Sequence, residues 1–141
     1  MSTSELHIRP YEAADGDQVA ELWTIAFGYD APRNQPRAIL RRLPAMDRRL
    51  FLVGIHDDRV VATVIGGYDG VRGWAYHLAV LPEARRRGFA SAMMAALEER
   101  LRKLGCPKVN LQVMGSNRAV VALYESLGYA VEDRVSLGKE L

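Results

Sequence analysis

The sequence predicts a mixed α/β fold in which an antiparallel meander runs into one parallel β-α-β crossover. Three observations predict it. Residues 50–56, 59–68 and 73–80 are apolar, β-branched runs separated by Asp57-Asp58 and by a turn around Asp69-Gly70, the pattern of consecutive antiparallel strands. Phe89, Met93, Leu97, Leu101 and Leu104 then recur every three or four residues, which predicts a helix over 88–104 with one apolar stripe. Val109, Leu111 and Val113 alternate with Asn110 and Gln112, so a strand over 109–113 follows. A strand, a crossover helix and a neighbouring strand make a parallel pair.

The remaining elements follow in order. Leu6 to Arg9 reads as a first strand. Asp15 stands as an N-cap, with Gln18 completing a capping box. Val19, Leu22, Trp23 and Ala26 have helical spacing, so an amphipathic helix is expected over 16–27, ended by Gly28. The stretch 28–48 is the least regular, with Pro32, Pro36 and Pro44 among several arginines; a helix from about Arg37 to Leu43 is expected within it. Val120, Leu123, Tyr124 and Leu127 mark a last helix, stopped by Gly128. Tyr129 to Val131 and Arg134 to Leu137 read as short final strands. The expectation is a central sheet of six to seven strands with about four helices, in one domain over 1–141.

Composition narrows the function. The chain has 141 residues, about half of them apolar, and a net charge of only +2, too small to predict nucleic-acid binding. No apolar run reaches the roughly eighteen residues of a membrane span, and the first ten residues lack a signal pattern, so a soluble cytoplasmic protein is expected. The single cysteine, Cys106, excludes an internal disulfide and reads as a small half-buried residue. His7, His56 and His77 have no metal-ligand spacing with one another or with Cys106, so no metal is expected.

The segment Leu78-Ala79-Val80-Leu81-Pro82-Glu83-Ala84-Arg85-Arg86-Arg87-Gly88-Phe89-Ala90 carries the chemistry. A strand ends, a short basic loop follows, and a long helix begins. The first amides of a helix lack internal partners and the dipole there is positive. Gly88 lets a bulky anion approach the backbone, and Ala90 is too small to cover the amides. Three arginines are unfavourable at the positive end of a helix, which an anionic partner explains. The segment reads as a diphosphate cradle.

Arg85-x-x-Gly88-x-Ala90 resembles the acetyl-CoA signature of the GNAT N-acetyltransferase superfamily, with alanine in place of its last glycine. Asn117 and Ala122-Leu123-Tyr124-Glu125-Ser126-Leu127-Gly128-Tyr129 resemble the family's second segment. Gly66-Gly67-Tyr68-Asp69-Gly70 and Ser136-Leu137-Gly138-Lys139 are further similar to small bacterial members called YpeA-like. The resemblance spans nearly the whole chain and implies a GNAT fold and acetyl-CoA as cosubstrate. It also implies transfer of an acetyl group to a primary amine of a small molecule or protein, by direct attack in a ternary complex. A non-catalytic acyl-CoA binding module is the alternative.

Residue by residue, the resemblance implies that the pantetheine arm pairs with the backbone of Leu78, Ala79 and Val80. The diphosphate sits on the amides of Arg85, Arg86, Arg87, Gly88, Phe89 and Ala90, and Asn117 contacts the cofactor arm. Tyr124 points at the CoA sulfur as general acid, and the oxyanion donor is a backbone amide near Val80. A homodimer is compatible with the family. No carboxylate or imidazole stands at Trp74 or Tyr76, where many relatives place a base. Strand alternation puts His77 on the opposite face from that pair, so it reads as core packing. Tyr29, Tyr68, Trp74 and Tyr76 are expected to wall the acceptor pocket. The arginines of 33–49 are a solvated face or, if they line that pocket, favour an acceptor with an acidic group.

Overall fold

The computed structural model describes residues 5–28, 31–43 and 46–141; Tyr29 and Pro44, named above, lie outside the described residues. The chain divides into two compact units, one ending at Leu111 and the other running from Gln112 to Leu141.

The first unit holds a five-stranded sheet in the order β1-β2-β3-β4-β5. The strands are β1 (His7–Pro10), β2 (Phe51–His56), β3 (Arg59–Tyr68), β4 (Gly73–Val80) and β5 (Val109–Leu111). The first four pair antiparallel and β5 pairs parallel to β4, as the crossover requires. Helices α1 (Gly16–Phe27), α2 (Pro36–Arg41) and α3 (Phe89–Lys103) complete the unit.

β2 and β3 are buried on both faces because α1 and α3 cover opposite sides, which is why these strands read as near-continuous apolar runs. On one side Trp23 of α1 donates its indole N–H to Thr63 Oγ1 at 2.9 Å and stacks on Phe51. On the other, Met93, Met94, Leu97 and Leu101 of α3 are almost fully buried. Gly66 is required there: a Cβ would stand 2.3 Å from Leu97 Cδ1.

The start of α1 differs from the expected capping box. A short 3-10 turn, Ala13–Asp15, leads into the helix. Asp15 accepts from the Glu12 amide at 2.8 Å and receives both terminal nitrogens of Arg9 at 2.8 and 2.9 Å. Gln18 does not close the box; its Oε1 accepts from the Val60 amide at 2.8 Å and so ties α1 to β3.

The second unit contains α4 (Arg118–Ser126). Asn117 accepts from the Val120 amide at its start. Gly128, at φ 96°, and the Tyr129 amide, bonded to the Tyr124 carbonyl at 3.0 Å, finish it. The two final strands expected at 129–131 and 134–137 are not strands, so among the described residues the sheet has five members rather than six or seven. The two residues between them, Glu132 and Asp133, are charged, and Val131, Val135 and Leu137 are exposed, which removes the burial that holds an alternating segment extended.

Two outcomes test this packing. Arg9 holds the Asp15 carboxyl below the usual carboxylate range by direct hydrogen bonding. Its stabilisation is therefore complete above the unfolded carboxylate value and lost as pH falls toward the folded one. Urea unfolding between about pH 7 and 3 should show Asp15→Asn less stable at neutral pH by about 1–3 kcal/mol, with a shallower acid limb. Gly66→Ala should lose about 1–3 kcal/mol through overpacking against α3, read as a lower urea midpoint at unchanged m-value.

Candidate active site

The site region of the first unit begins where β4 outruns its parallel neighbour. β5 pairs with Gly73, Trp74 and Ala75 of β4 and no further. β4 continues to Val80, paired through Tyr76, Ala79 and Val80 to β3. Its outer edge from Tyr76 onward has no partner strand among the described residues. Leu78, Ala79 and Val80 all lie on that open edge.

A bulge interrupts β4 at the same point. Ile65 pairs with Tyr76 and Thr63 with Ala79, so Val64 faces both His77 and Leu78. His77 takes a left-handed conformation, φ 53°, and this overturns the strict alternation expected for it. Its ring lies against Trp23 at 4.8 Å and Phe27 at 5.1 Å, on the α1 face. Trp74 and Tyr76 occupy that face too, through their pairing with Gly67 and Ile65. Burial pushes the imidazole pKa down, so His77 is held neutral. The Thr63 hydroxyl donates to the His77 carbonyl at 2.9 Å and pins the bulge.

After Val80 the chain turns through Pro82–Ala84. Arg85 returns its Nε–H to the Val80 carbonyl at 3.2 Å. Arg86 and Gly88 have φ 66° and 77°, with Arg87 between them outside the left-handed region. Left-handed residues set among others in this way are the backbone pattern of a nest, which suits an anion. Gly88 is the N-cap of α3 and offers its amides no side-chain cap. Phe89 buries its ring, leaving only its backbone toward the loop, and Ala90 follows. The six loop and helix residues expected to hold a diphosphate therefore form one continuous turn.

Arg87 is not free within it. Its Nη1 lies 3.3 Å from Glu5 Oε2 and 3.2 Å from His56 Nε2. Glu5 and His56 carry no motif and were not readable as neighbours of this loop. The only sequence signal is their place at the ends of β1 and β2, which the antiparallel pairing brings together.

The expected acceptor wall is divided. Trp74 and Tyr76 stack at 6.4 Å, and Tyr76 is half exposed. Tyr68 sits elsewhere: its pairing with Gly73 puts it on the α3 face, with its hydroxyl near the Gly105 carbonyl. Phe27, beside His77, is the aromatic neighbour the sequence did not indicate. The arginines are largely committed, Arg37 to Asp17 at 2.6 Å, Arg42 to the Arg33 carbonyl and Arg49 to Asp47 at 2.6 Å. Arg41 lines a shallow cavity between the start of α1 and α2 with Tyr11, Gly16, Asp17 and Arg37. Asp69 accepts from the Val71 and Arg72 amides and shapes the turn before β4. Among the described residues no cluster of metal-ligating side chains occurs and no helix is long and apolar enough to cross a membrane.

In the second unit, Tyr124 is half buried, packs edge-on against Tyr129 at 5.7 Å, and has its phenol pKa pushed up by burial. Asn117, expected on a cofactor arm, spends its Oδ1 on the helix cap.

Comparison with known proteins agrees with this geometry. Residues 16–129 match the family model "Acetyltransferase (GNAT) family". An acetyltransferase of Yersinia enterocolitica is 41% identical over 136 residues, covering 96% of each chain, and a Yersinia pestis protein described as an uncharacterized N-acetyltransferase is equally similar. Among solved structures, the aminoglycoside acetyltransferase AAC(6')-Iy in complex with a CoA bisubstrate analogue superimposes with TM-score 0.79 at 16% identity, over 96% of this chain and 98% of that one. Ard1 from Thermoplasma volcanium gives TM-score 0.77 at 22% identity, over 91% and 84%. The open β4 edge, the nest at its end and the match over residues 16–129 lead to one conclusion: the chain is an acetyltransferase of the GNAT family.

Proposed function

We propose that this enzyme transfers an acetyl group from acetyl-CoA to a primary amine by direct attack in a ternary complex. The observation that carries the cofactor assignment is the uncapped start of α3 at left-handed Gly88, preceded by the backbone pattern of a nest. There a basic loop meets the positive end of a fifteen-residue helix that no side chain caps. The CoA-bound state of a structural neighbour supports the same reading.

In this reading the diphosphate is held by the amides of Arg86 to Ala90; the Arg85 amide, expected among them, already donates to the Pro82 carbonyl at 3.3 Å. The pantetheine arm adds to the free edge of β4 along Leu78 to Val80, as an extended ligand adds to a sheet edge. A backbone N–H near Val80 takes the developing oxyanion. The neutral amine nitrogen forms a bond to the acetyl carbon, the carbon–sulfur bond breaks, and the thiolate leaves with the electron pair. Tyr124 gives its phenolic proton to that thiolate. The buried phenol stays protonated at neutral pH and its basicity approaches that of a thiolate, which suits the exchange. The amine's surplus proton passes to water. Positioning of the two substrates supplies most of the rate.

The stacked pair Trp74 and Tyr76 is the acceptor-side surface this reading uses. Arg37, Arg42 and Arg49 are engaged in their own ion pairs and carbonyl bonds, so this reading rests acceptor recognition on aromatic contact.

Two variants test the assignment. Gly88→Glu puts a carboxylate and a Cβ at a left-handed anion site; calorimetry should show acetyl-CoA affinity falling by about a hundredfold or more, and unchanged affinity would falsify the cradle. Tyr124→Phe should lower kcat by about tenfold to a hundredfold while KM for acetyl-CoA stays within about twofold; equal turnover in a thiol-release assay removes Tyr124 as the acid.

A further inference from the structure

A cavity of about 380 Å³ opens between the start of α1 and α2 and shares no residue with the α3 loop. Two guanidiniums, Arg37 and Arg41, line it against one carboxylate, Asp17. That carboxylate is already spent, for Asp17 Oδ1 takes Arg37 Nη2 at 2.6 Å. The two arginines belong to the basic run of 33–49, for which the acetyl transfer proposed above has no use. They stand four residues apart on α2, a like-charged pair that is unfavourable in isolation and that an anion beside it relieves.

Tyr11 forms the facing wall. Only 6% of the residue is exposed, and its ring stacks on Phe51 at 4.6 Å. Among the described residues its hydroxyl nevertheless has no hydrogen-bond partner. A buried phenol ordinarily finds one, and the space this hydroxyl faces is the cavity. Burial pushes the phenol pKa up, so Tyr11 presents a hydrogen there and not a charge.

Gly16 lies between these groups. A Cβ on it would stand 3.0 Å from the Tyr11 hydroxyl and 3.9 Å from Arg37 Nη1, so both donors border the space a side chain would fill. The backbone of Gly16 is right-handed, with φ −54°, a conformation open to any residue, and glycine is a poor helix former. Space, rather than conformation, is what glycine supplies here. The Gly16 amide is already given to the Ala13 carbonyl, so the donors on offer are side chains. They are the Tyr11 hydroxyl, Arg37 Nη1 and the exposed guanidinium of Arg41, which has no partner among the described residues.

We propose that this cavity is a second binding site, for a compact anion bearing a phosphate group, held by Tyr11, Arg37 and Arg41. Donors on two sides, one of them a hydroxyl, suit a tetrahedral oxyanion better than a flat carboxylate, and guanidiniums are its usual partners. Leu40, also on the wall, gives the rest of the occupant an apolar surface. The occupant ties α2 to the start of α1, where the exposed Arg37–Asp17 pair already joins them. The site stands apart from the cofactor assignment and does not rest on it.

Inorganic phosphate is the probe, titrated into the isotopically labelled intact protein at an ionic strength held constant with chloride and followed by amide NMR. The amides of Gly16, Asp17 and Arg41 should shift and saturate, with a dissociation constant on the order of a millimolar. Tyr11→Phe keeps the ring on Phe51, and Arg41→Gln changes an exposed side chain, so both should fold. Each should weaken phosphate binding at these amides by about fivefold to tenfold. Acetate should bind there at least about fivefold more weakly than phosphate. Shifts that do not saturate, or that chloride alone reproduces, overturn the site, and so does full phosphate affinity in either variant. Acetate binding as tight as phosphate overturns the class of ligand. Shifts confined to residues 86–90 belong to the cradle and leave no second site.

Discussion

The site in the first unit depends on one buried hydroxyl. Thr63, with no exposed surface, accepts from the Trp23 indole and donates to the His77 carbonyl, both at 2.9 Å. The first bond fixes α1 on the sheet, and the second holds the bulge of β4. A buried hydroxyl missing either partner is destabilising by about 1–3 kcal/mol, so the two bonds are retained together. The left-handed backbone at His77 is itself unfavourable by about 1–3 kcal/mol. It is offset by the ring contacts of His77 with Trp23 and Phe27. Strain of this kind persists where the surrounding packing over-determines it, and here it sits where β4 leaves the β5 ladder and presents backbone instead of a paired edge.

The helix starts show a division of labour. At α4 Asn117 accepts from Val120; α1 has no side-chain cap of its own but follows a 3-10 turn whose start the Asp15 carboxylate closes on the Glu12 amide, and Asp15 stands at the helix's N-cap. α3 is longer than either, yet it begins at a glycine with no side-chain cap and three arginines behind it. By local energetics alone that is the least favourable start of the three. The neighbouring acids Glu83 and Glu5 do not cap it; they take Arg59 and Arg87 instead. In the proposed reading the amides from Arg86 onward are left for the cofactor diphosphate.

Most of the architecture was legible because it rests on periodicity. The helix at 16–27 and the strands at 59–68 and 73–80 fall where alternation and apolar spacing put them. The failures share a cause: each is a tertiary decision at a place where local pattern is silent. Gln18 satisfies a capping box in sequence but finds the Val60 amide from β3. The bulge turns His77 onto the face that alternation denies it, because a single extra residue shifts every side chain after it. Tyr68 goes to the α3 face through a register set by the turn at Asp69-Gly70. Residues 129–137 alternate like strands but lack the burial that would hold them in a sheet. The Glu5–His56–Arg87 contact joins residues 82 positions apart, beyond any window in which periodicity speaks.

The same distinction explains why one half of the reaction could be read and the other could not. In the proposed reading a diphosphate and a pantetheine arm are held by backbone: a glycine in a left-handed turn, a helix start and a strand edge. Such demands restrict residue types at fixed spacing, so they leave a motif. In the same proposed reading an acceptor amine is met by side chains, such as the stacked Trp74 and Tyr76 of β4. Their chemistry is carried by faces and not by spacing. Substitution there changes what is acetylated without disturbing the turn at Gly88, which is how one fold can keep a common donor and vary the acceptor.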